Sequence, residues 1–337
     1  MWAYRMRAPR TLERAEVADL QPHDLAPDSL LLRPLHGGIC GSDYPSYKGL
    51  RSQVVLETGE LAAEHAGYPL HEVVGEVLAD PTGTHAPGTV VVGWATGFDA
   101  LAERVATRAS SVVAVPGHVA VGDAVVLQPL ACVLFTMDRI SDVLRGARVA
   151  IIGLGPIGLL FAHVAKQLGA AEVTGIDPVD RHADAADFGI DRVVTSTSDR
   201  WASRLPPDEL YDVVIEAVGH QVGTLSDAIT AVRLGGTIFY FGIPDDAVYP
   251  FPMTAFLRKG AVLVSGVVHD HSAALHAAVQ YAREHPDLLR RDISHRYRIA
   301  DANEAYEIAI SHRPDRRKVV IDFDDDQDET GAERALV

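Results

Sequence analysis

The run Gly153-Leu154-Gly155-Pro156-Ile157-Gly158 constrains the fold of this chain more than any other feature, because of what flanks it. An apolar strand, Arg148-Val149-Ala150-Ile151-Ile152, leads into it. A helical stretch from Ile157 to Leu168 leaves it and is closed by Gly169. A second strand, Glu172-Val173-Thr174-Gly175-Ile176, then ends on Asp177. Strand, glycine turn, helix, strand and acid together form the opening unit of a dinucleotide-binding parallel sheet. Gly153 permits the tight turn, Gly155 lets a pyrophosphate approach the backbone, and Gly158 lets the helix pack against the strand. Pro156 and Ile157 lie at the mouth of the helix, where free amides and a partial positive charge favour phosphate. Asp177 comes about 20 residues further on, where an acid binds the adenosine ribose hydroxyls. A carboxylate there repels a 2′-phosphate, so NAD is expected over NADP, with Arg181 positioned to soften that preference.

The alternation continues through Tyr211-Asp212-Val213-Val214-Ile215-Glu216, Thr237-Ile238-Phe239-Tyr240-Phe241 and Ala261-Val262-Leu263-Val264. Strands alternating with helices mean a parallel sheet covered on both faces. Before it, the first 120 or so residues are rich in valine, glycine and proline. Short runs there, Thr89 to Val92 and Ser111 to Val115, are bounded by Pro87-Gly88 and Pro116-Gly117 and predict a small β-rich unit. After Gly266 come helical segments, Ser272 to Arg283 and Asp301 to Ser311, and a last strand, Lys318 to Ile321.

At 337 residues the chain is long enough for two domains. A formal charge of -16 argues against nucleic-acid or anionic-membrane partners. No apolar run is read as reaching membrane-spanning length, and Met1-Trp2-Ala3-Tyr4-Arg5 does not open a signal peptide. Two cysteines exclude a disulfide framework, so a reducing cytoplasm is expected. The stretch from Asp322 through Asp324-Asp325-Asp326 to Val337 reads as a solvated, disordered acidic tail.

Those two cysteines are Cys40, in Gly38-Ile39-Cys40-Gly41-Ser42-Asp43, and Cys132, in Gln128-Pro129-Leu130-Ala131-Cys132. Between them comes His71-Glu72. Two thiolates and an imidazole make a soft three-ligand set that suits zinc and leaves its fourth position open. Each residue alone has a plainer reading, as a small buried hydrophobe or a satisfied core histidine.

Taken together, these motifs resemble the zinc-dependent medium-chain alcohol and polyol dehydrogenases, from about residue 25 to 321. The resemblance implies an α/β chain with a GroES-like β-rich catalytic domain, residues 1–128 and 267–337, and a Rossmann NAD-binding domain inserted at 129–266. It implies one catalytic zinc, held by Cys40 and His71, with Glu72 binding directly or supporting from outside. The third ligand is Cys132, at the offset used by simple alcohol dehydrogenases, or Gln128, at the position of a polyol-branch acid. Thiolate is the better zinc donor. Asp43 is expected to support the site. The lobe that carries a structural zinc in the family is not expected, and Leu70 stands where a glycine usually precedes the His-Glu pair.

The same resemblance implies hydride transfer between a secondary alcohol (a polyol, sugar or aminocyclitol) and its ketone. Ser42 would contact the reacting oxygen and start a proton relay. Pro45 occupies the position where a histidine often ends that relay, so water, a cofactor ribose hydroxyl or Tyr47 would take its place. Glu64 and His65 lie in a longer loop at the substrate mouth, and His269 and His271 follow the last parallel strand. A homodimer or homotetramer is expected, with no nucleic-acid or membrane partner. A metal-free quinone or enoyl-type NAD(P)H reductase and a non-catalytic nucleotide-binding relative are the alternatives, and Cys40, His71 and Cys132 count against the first.

Overall fold

Alternating side chains explain the sheet at the centre of the molecule. Ala150, Ile152, Ile176, Val214 and Ile238 pack in one core, while Val149, Ile151, Val173, Val213, Ile215 and Phe239 pack in another. Strands buried on both faces have to be apolar throughout, which is how these runs read. In the computed structural model, which describes residues 1–50 and 65–323, two strands, β1 (Trp2–Ala8) and β2 (Thr11–Glu16), first form an antiparallel hairpin. A mixed sheet follows, built from β3 (Ser29–Gly38), β4 (Glu72–Ala79), β5 (Val90–Trp94), β6 (Val105–Arg108) and β7 (Val112–Ala114). The parallel sheet contains β8 (Arg148–Ile152), β9 (Glu172–Asp177), β10 (Arg192–Thr195), β11 (Tyr211–Glu216), β12 (Val232–Tyr240) and β13 (Val262–Ser265). The chain then returns to the mixed sheet with β14 (Ile293–Arg298) and β15 (Lys318–Asp322).

The parallel sheet has the order β10-β9-β8-β11-β12-β13. Its order reverses between β8 and β11, which opens a crevice outside their carboxyl ends, the usual ligand site of such sheets. The mixed sheet has the order β14-β15-β3-β4-β5-β7, with β6 also on β3. Here β3 lies between β4 and β15, antiparallel to both. Gly38 stands opposite Glu72 on one side and Val320 on the other, so the end of β3 and the starts of β4 and β15 share one corner.

Two expectations change. Asp322 belongs to β15 rather than to a solvated tail: it accepts from Arg296 Nη1 at 2.9 Å and lies 2.7 Å from His36 Nδ1, while Phe323 is buried in the core of the mixed sheet with Leu30, Val73 and Ile321. A paired strand edge holds them; residues 324–337 lie outside the described residues. The segment Val121–Asp138 is long and apolar enough to cross a membrane, with a mean hydropathy of 1.4 over 18 residues. Most of it is buried, because its Leu127–Asp138 helix packs against the His271–Glu284 helix and the first helix of the parallel sheet.

Candidate active site

The corner shared by β3, β4 and β15 gathers three donor atoms. One ligand atom each from Cys40, His71 and Glu72 lies within 4.8 Å of the others. The register explains this: Cys40 comes two residues after Gly38, and Glu72 lies directly across from Gly38. Asp43 braces both sides, as its Oδ2 accepts the Cys40 N–H at 2.9 Å and its Oδ1 lies 3.0 Å from His71 Nδ1. That contact fixes the ring and leaves Nε2 as the nitrogen available to a metal, the usual outer support of a zinc-binding histidine. Burial alone would lower the His71 pKa, but the Asp43 carboxylate and then Cys40 override it and hold the imidazole well above its ordinary range. The Phe98 ring packs beside it at 4.9 Å.

Glu72 is fully buried and has both oxygens on Lys318 Nζ, at 2.8 and 2.7 Å. Lys318 opens β15, and its ammonium also donates to the Ile39 carbonyl at 3.3 Å. Burial opposes the charged amine, yet the Glu72 carboxylate, followed by Cys40, raises the Lys318 pKa above the ordinary lysine value. Thiolate, imidazole and carboxylate within a few ångströms form a donor set that fits zinc, so the residues present suit the metal the motifs imply.

Cys132 stands outside this three-member group. Its sulfur accepts the Gln128 Nε2 donor at 3.8 Å, one turn back on the Leu127–Asp138 helix, so the two candidates for a third ligand face each other. Burial, then the negative charges of Cys40 and Glu72, push the Cys132 thiol pKa up. Leu70 is buried, and a Cβ on Gly37 would come within 2.4 Å of it, so an adjacent glycine makes room for the unusual side chain. Ser42 sits in the Gly41–Asp43 turn between Cys40 and the brace residue. Tyr47 is turned away from the site: its hydroxyl contacts Glu307 Oε1 at 3.1 Å and its ring stacks on Tyr306, so it cannot serve the relay. His65 lies 3.9 Å from Asp99, and Glu64 falls outside the described residues. His271 stacks on Trp94 with centroids 4.1 Å apart and contacts Ser111 Oγ at 2.9 Å, joining the helix after β13 to the mixed sheet.

At the crevice each fingerprint glycine has a distinct reason to be glycine. Gly153 is left-handed, with φ +93°. A Cβ on Gly158 would stand 1.8 Å from the Gly153 carbonyl, so no larger residue lets the helix come this close. A Cβ on Gly155 would meet nothing within 4 Å, which leaves open space above the turn for a phosphate. The Pro156–Gln167 helix starts here, with Pro156 and Ile157 in its first turn. Asp177 ends β9; its Oδ2 accepts the Leu154 N–H and its Oδ1 the Val179 N–H, both at 2.8 Å. Two hydrogen bonds leave a carboxylate further lone pairs for a hydroxyl. Arg181, expected at the cofactor, is instead buried against the other domain. Its Nη1 donates to the Pro314 carbonyl at 3.0 Å and the Arg316 carbonyl at 2.8 Å, both in the loop before β15.

Sequence reading missed Lys318, whose only signal is a charged residue opening an apolar strand. It also missed His220 and Asp245, which follow the carboxyl ends of β11 and β12.

Residues 156–283 match the zinc-binding dehydrogenase family. The D-xylulose reductase of Saccharomyces cerevisiae is 26% identical over 61% of this chain, a match spanning 59% of the yeast protein's own length. The D-arabinitol dehydrogenase 1 of Uromyces fabae is 26% identical over 85% of this chain and 88% of its own. Among solved structures, the alcohol dehydrogenase TADH from Thermus sp. ATN1 superposes with a TM-score of 0.78 over 96% of this chain and all of that one, at 24% identity, which establishes the fold. Over residues 156–283 the chain thus matches zinc-binding dehydrogenases, and as a whole it is similar in sequence to polyol dehydrogenases and in fold to an alcohol dehydrogenase.

Proposed function

We propose that the chain is a zinc- and NAD-dependent oxidoreductase that interconverts a secondary alcohol (a polyol, sugar or aminocyclitol-like compound) and its ketone. One observation carries this reading: Cys40, His71 and Glu72 place their donor atoms within 4.8 Å of one another, in a chain that also holds an open glycine turn at a sheet crevice. Similarity to proteins named for xylulose and arabinitol supports a polyhydroxylated substrate.

One ion per chain is proposed, with Cys40 and His71 as ligands and Glu72 or Cys132 completing the set. When bound, zinc supplies Lewis acidity to an alcohol oxygen and NAD takes up the hydride. Asp43 orients the His71 ring, and Lys318 balances the Glu72 charge so that the corner can be apolar and dry. Ser42, in the turn beside Cys40, would supply the hydroxyl that hydrogen-bonds the reacting oxygen and passes its proton outward. Asp177 supports NAD over NADP, since a carboxylate at that point repels a 2′-phosphate. The domain limits proposed are 1–128 with 267–337 for the catalytic unit and 129–266 for the nucleotide unit. Two free thiols favour a reducing, cytoplasmic setting. A homodimer or homotetramer is proposed because β13 forms an open edge of the parallel sheet and carries exposed apolar side chains.

The test combines metal analysis with NADH absorbance over a panel of polyols, sugars and cyclitols. The expected result is about one zinc per chain, turnover with at least one secondary alcohol, and a marked preference for NAD. Cys40→Ser is expected to abolish turnover while NAD still binds. Turnover by the zinc-free chain would overturn the proposal.

A further inference from the structure

Two loops leave the carboxyl ends of neighbouring parallel strands and together hold an imidazole that crosses to the other domain. β11 ends on Glu216, whose buried Oε1 accepts the N–H groups of Val218 and Gly219 at 3.1 and 3.2 Å. Its Oε2 accepts the N–H of Gly242, just after β12, at 3.1 Å. The loops meet so closely that a Cβ on Gly242 would stand 2.1 Å from Gly219 N. The His220 N–H then donates to the Ile243 carbonyl at 2.9 Å. His220 is held in the left-handed region, with φ +54°, which a residue bearing a Cβ adopts only when its surroundings fix it.

So placed, His220 Nδ1 lies 2.6 Å from Asp245 Oδ1, and the Asp245 N–H donates to Tyr249 Oη at 2.9 Å. The other ring nitrogen, Nε2, lies 3.2 Å from the carbonyl oxygen of Gly41, between Cys40 and Ser42 in the catalytic unit. The same carbonyl accepts the Tyr44 N–H that closes the Gly41–Asp43 turn. Asp245 and Gly41 both accept, so the ring grips both only by donating through each nitrogen.

We propose that His220, oriented by Asp245, is a positioning residue for hydride transfer, setting the separation between the nucleotide crevice and the turn that carries Cys40 and Ser42. This rests on the dehydrogenase reading above. The donor cluster hangs from the mixed sheet, whereas the crevice belongs to the parallel one. A Cβ on Gly153 would meet Val218 Cγ2 at 2.8 Å, so His220 starts beside the fingerprint and ends beside Cys40. Reacting groups held by separate domains depend on contacts of this kind, because a displacement of about 1 Å costs on the order of a hundredfold in rate.

The test uses the full chain with His220→Ala and Asp245→Asn. In the cofactor-free chain, amide hydrogen exchange at Gly41 to Tyr47 is expected to rise about tenfold in His220→Ala, with no change in β14. In the zinc-loaded enzyme kcat should fall about tenfold or more, while zinc content and the NAD dissociation constant stay within about twofold of the native values. Asp245→Asn should move both readouts the same way by a smaller factor, and it serves as the probe if His220→Ala does not fold. Unchanged exchange at Gly41 to Tyr47, a rise shared equally by β14, or an intact kcat would overturn the proposal. If the native enzyme turns over no alcohol, the dehydrogenase reading fails, and the exchange measurement still decides the His220 contact.

Discussion

Gly38 tolerates no side chain, for a reason that couples strand geometry to chemistry. A Cβ there would stand 2.1 Å from Glu72 Oε2 and 3.1 Å from Val125 Cγ2. A loose carboxylate would swing aside, but this one is held by Lys318 at both oxygens. Gly38→Ala is therefore expected to lower stability by about 1–3 kcal/mol, as overpacking does, and to weaken zinc retention. Thermal melting with metal analysis checks it; a variant with native stability and full zinc would show that Glu72 is not pinned. At this scale the sequence was legible where candidates sit in contiguous motifs: Cys40, His71 and Glu72, named from theirs, have donor atoms the structure brings together, and the fingerprint glycines share one turn. It was illegible where one residue reaches across the fold. Lys318 and His220 have no motif around them, and their partners lie 246 and 179 positions away. Tyr47 and Arg181 show the converse. Both stand beside motifs, yet Glu307 and the carbonyls of Pro314 and Arg316 claim their side chains.

The short elements entering the mixed sheet from the C-terminal side carry a buried charge network. β15 brings Lys318 against Glu72, both almost wholly inaccessible to water. Removing one partner of such a pair strands the other, at a cost of about 3–5 kcal/mol. Lys318→Met should show a loss of that order in chemical denaturation, and the Lys318→Met/Glu72→Gln double variant should recover much of it. A single variant within about 1 kcal/mol of native would mean the pair is not a unit. The Leu288–Asp292 helix adds Asp292, fully buried, with no hydrogen-bond partner among the described residues for either carboxylate oxygen. Burial first, then the charges of Glu72 and Asp184, raise its pKa to about 7 against the pull of Lys318 and Arg317. The folded state therefore prefers the neutral acid. Its stabilising share is complete below the unfolded value near 4 and is lost as pH rises towards 7. Asp292→Asn should flatten that slope, making the variant the more stable protein at pH 8 by about 1–4 kcal/mol and giving no such advantage near pH 4. Denaturation curves across that range measure it, and parallel slopes would show that Asp292 is ionised in the fold. Element boundaries were legible here wherever apolar runs ended on glycine or proline. They failed at Asp322, because an acidic residue that pairs along a strand edge reads like the first residue of an acidic tail.

For the molecule as a whole, the two edges of the parallel sheet differ in chemistry. β10 and β13 are both four-residue edge strands among the described residues, but β13 shows solvent a set of apolar side chains. Val262, on that strand, is 51% exposed and Val267, just after it, 66%, while Leu257, on the helix that precedes it in the chain, is 75% exposed. Water gains nothing from such a patch, and an open strand edge is a template for pairing with another chain. The proposed dimer joins β13 to β13 about a twofold axis, so that each subunit covers the same side chains on its partner. A charge placed in that seam meets its own copy across the axis and has to be desolvated as well. Val267→Glu and Leu257→Glu together are expected to convert the native assembly to monomer at micromolar concentration, since two unpaired carboxylates facing two others cost several kcal/mol. Light scattering coupled to size exclusion decides this. The crevice and the Cys40 corner lie within one chain, so the monomer should keep its zinc and its NAD affinity. An assembly that survives the double substitution would place the subunit contact on another face.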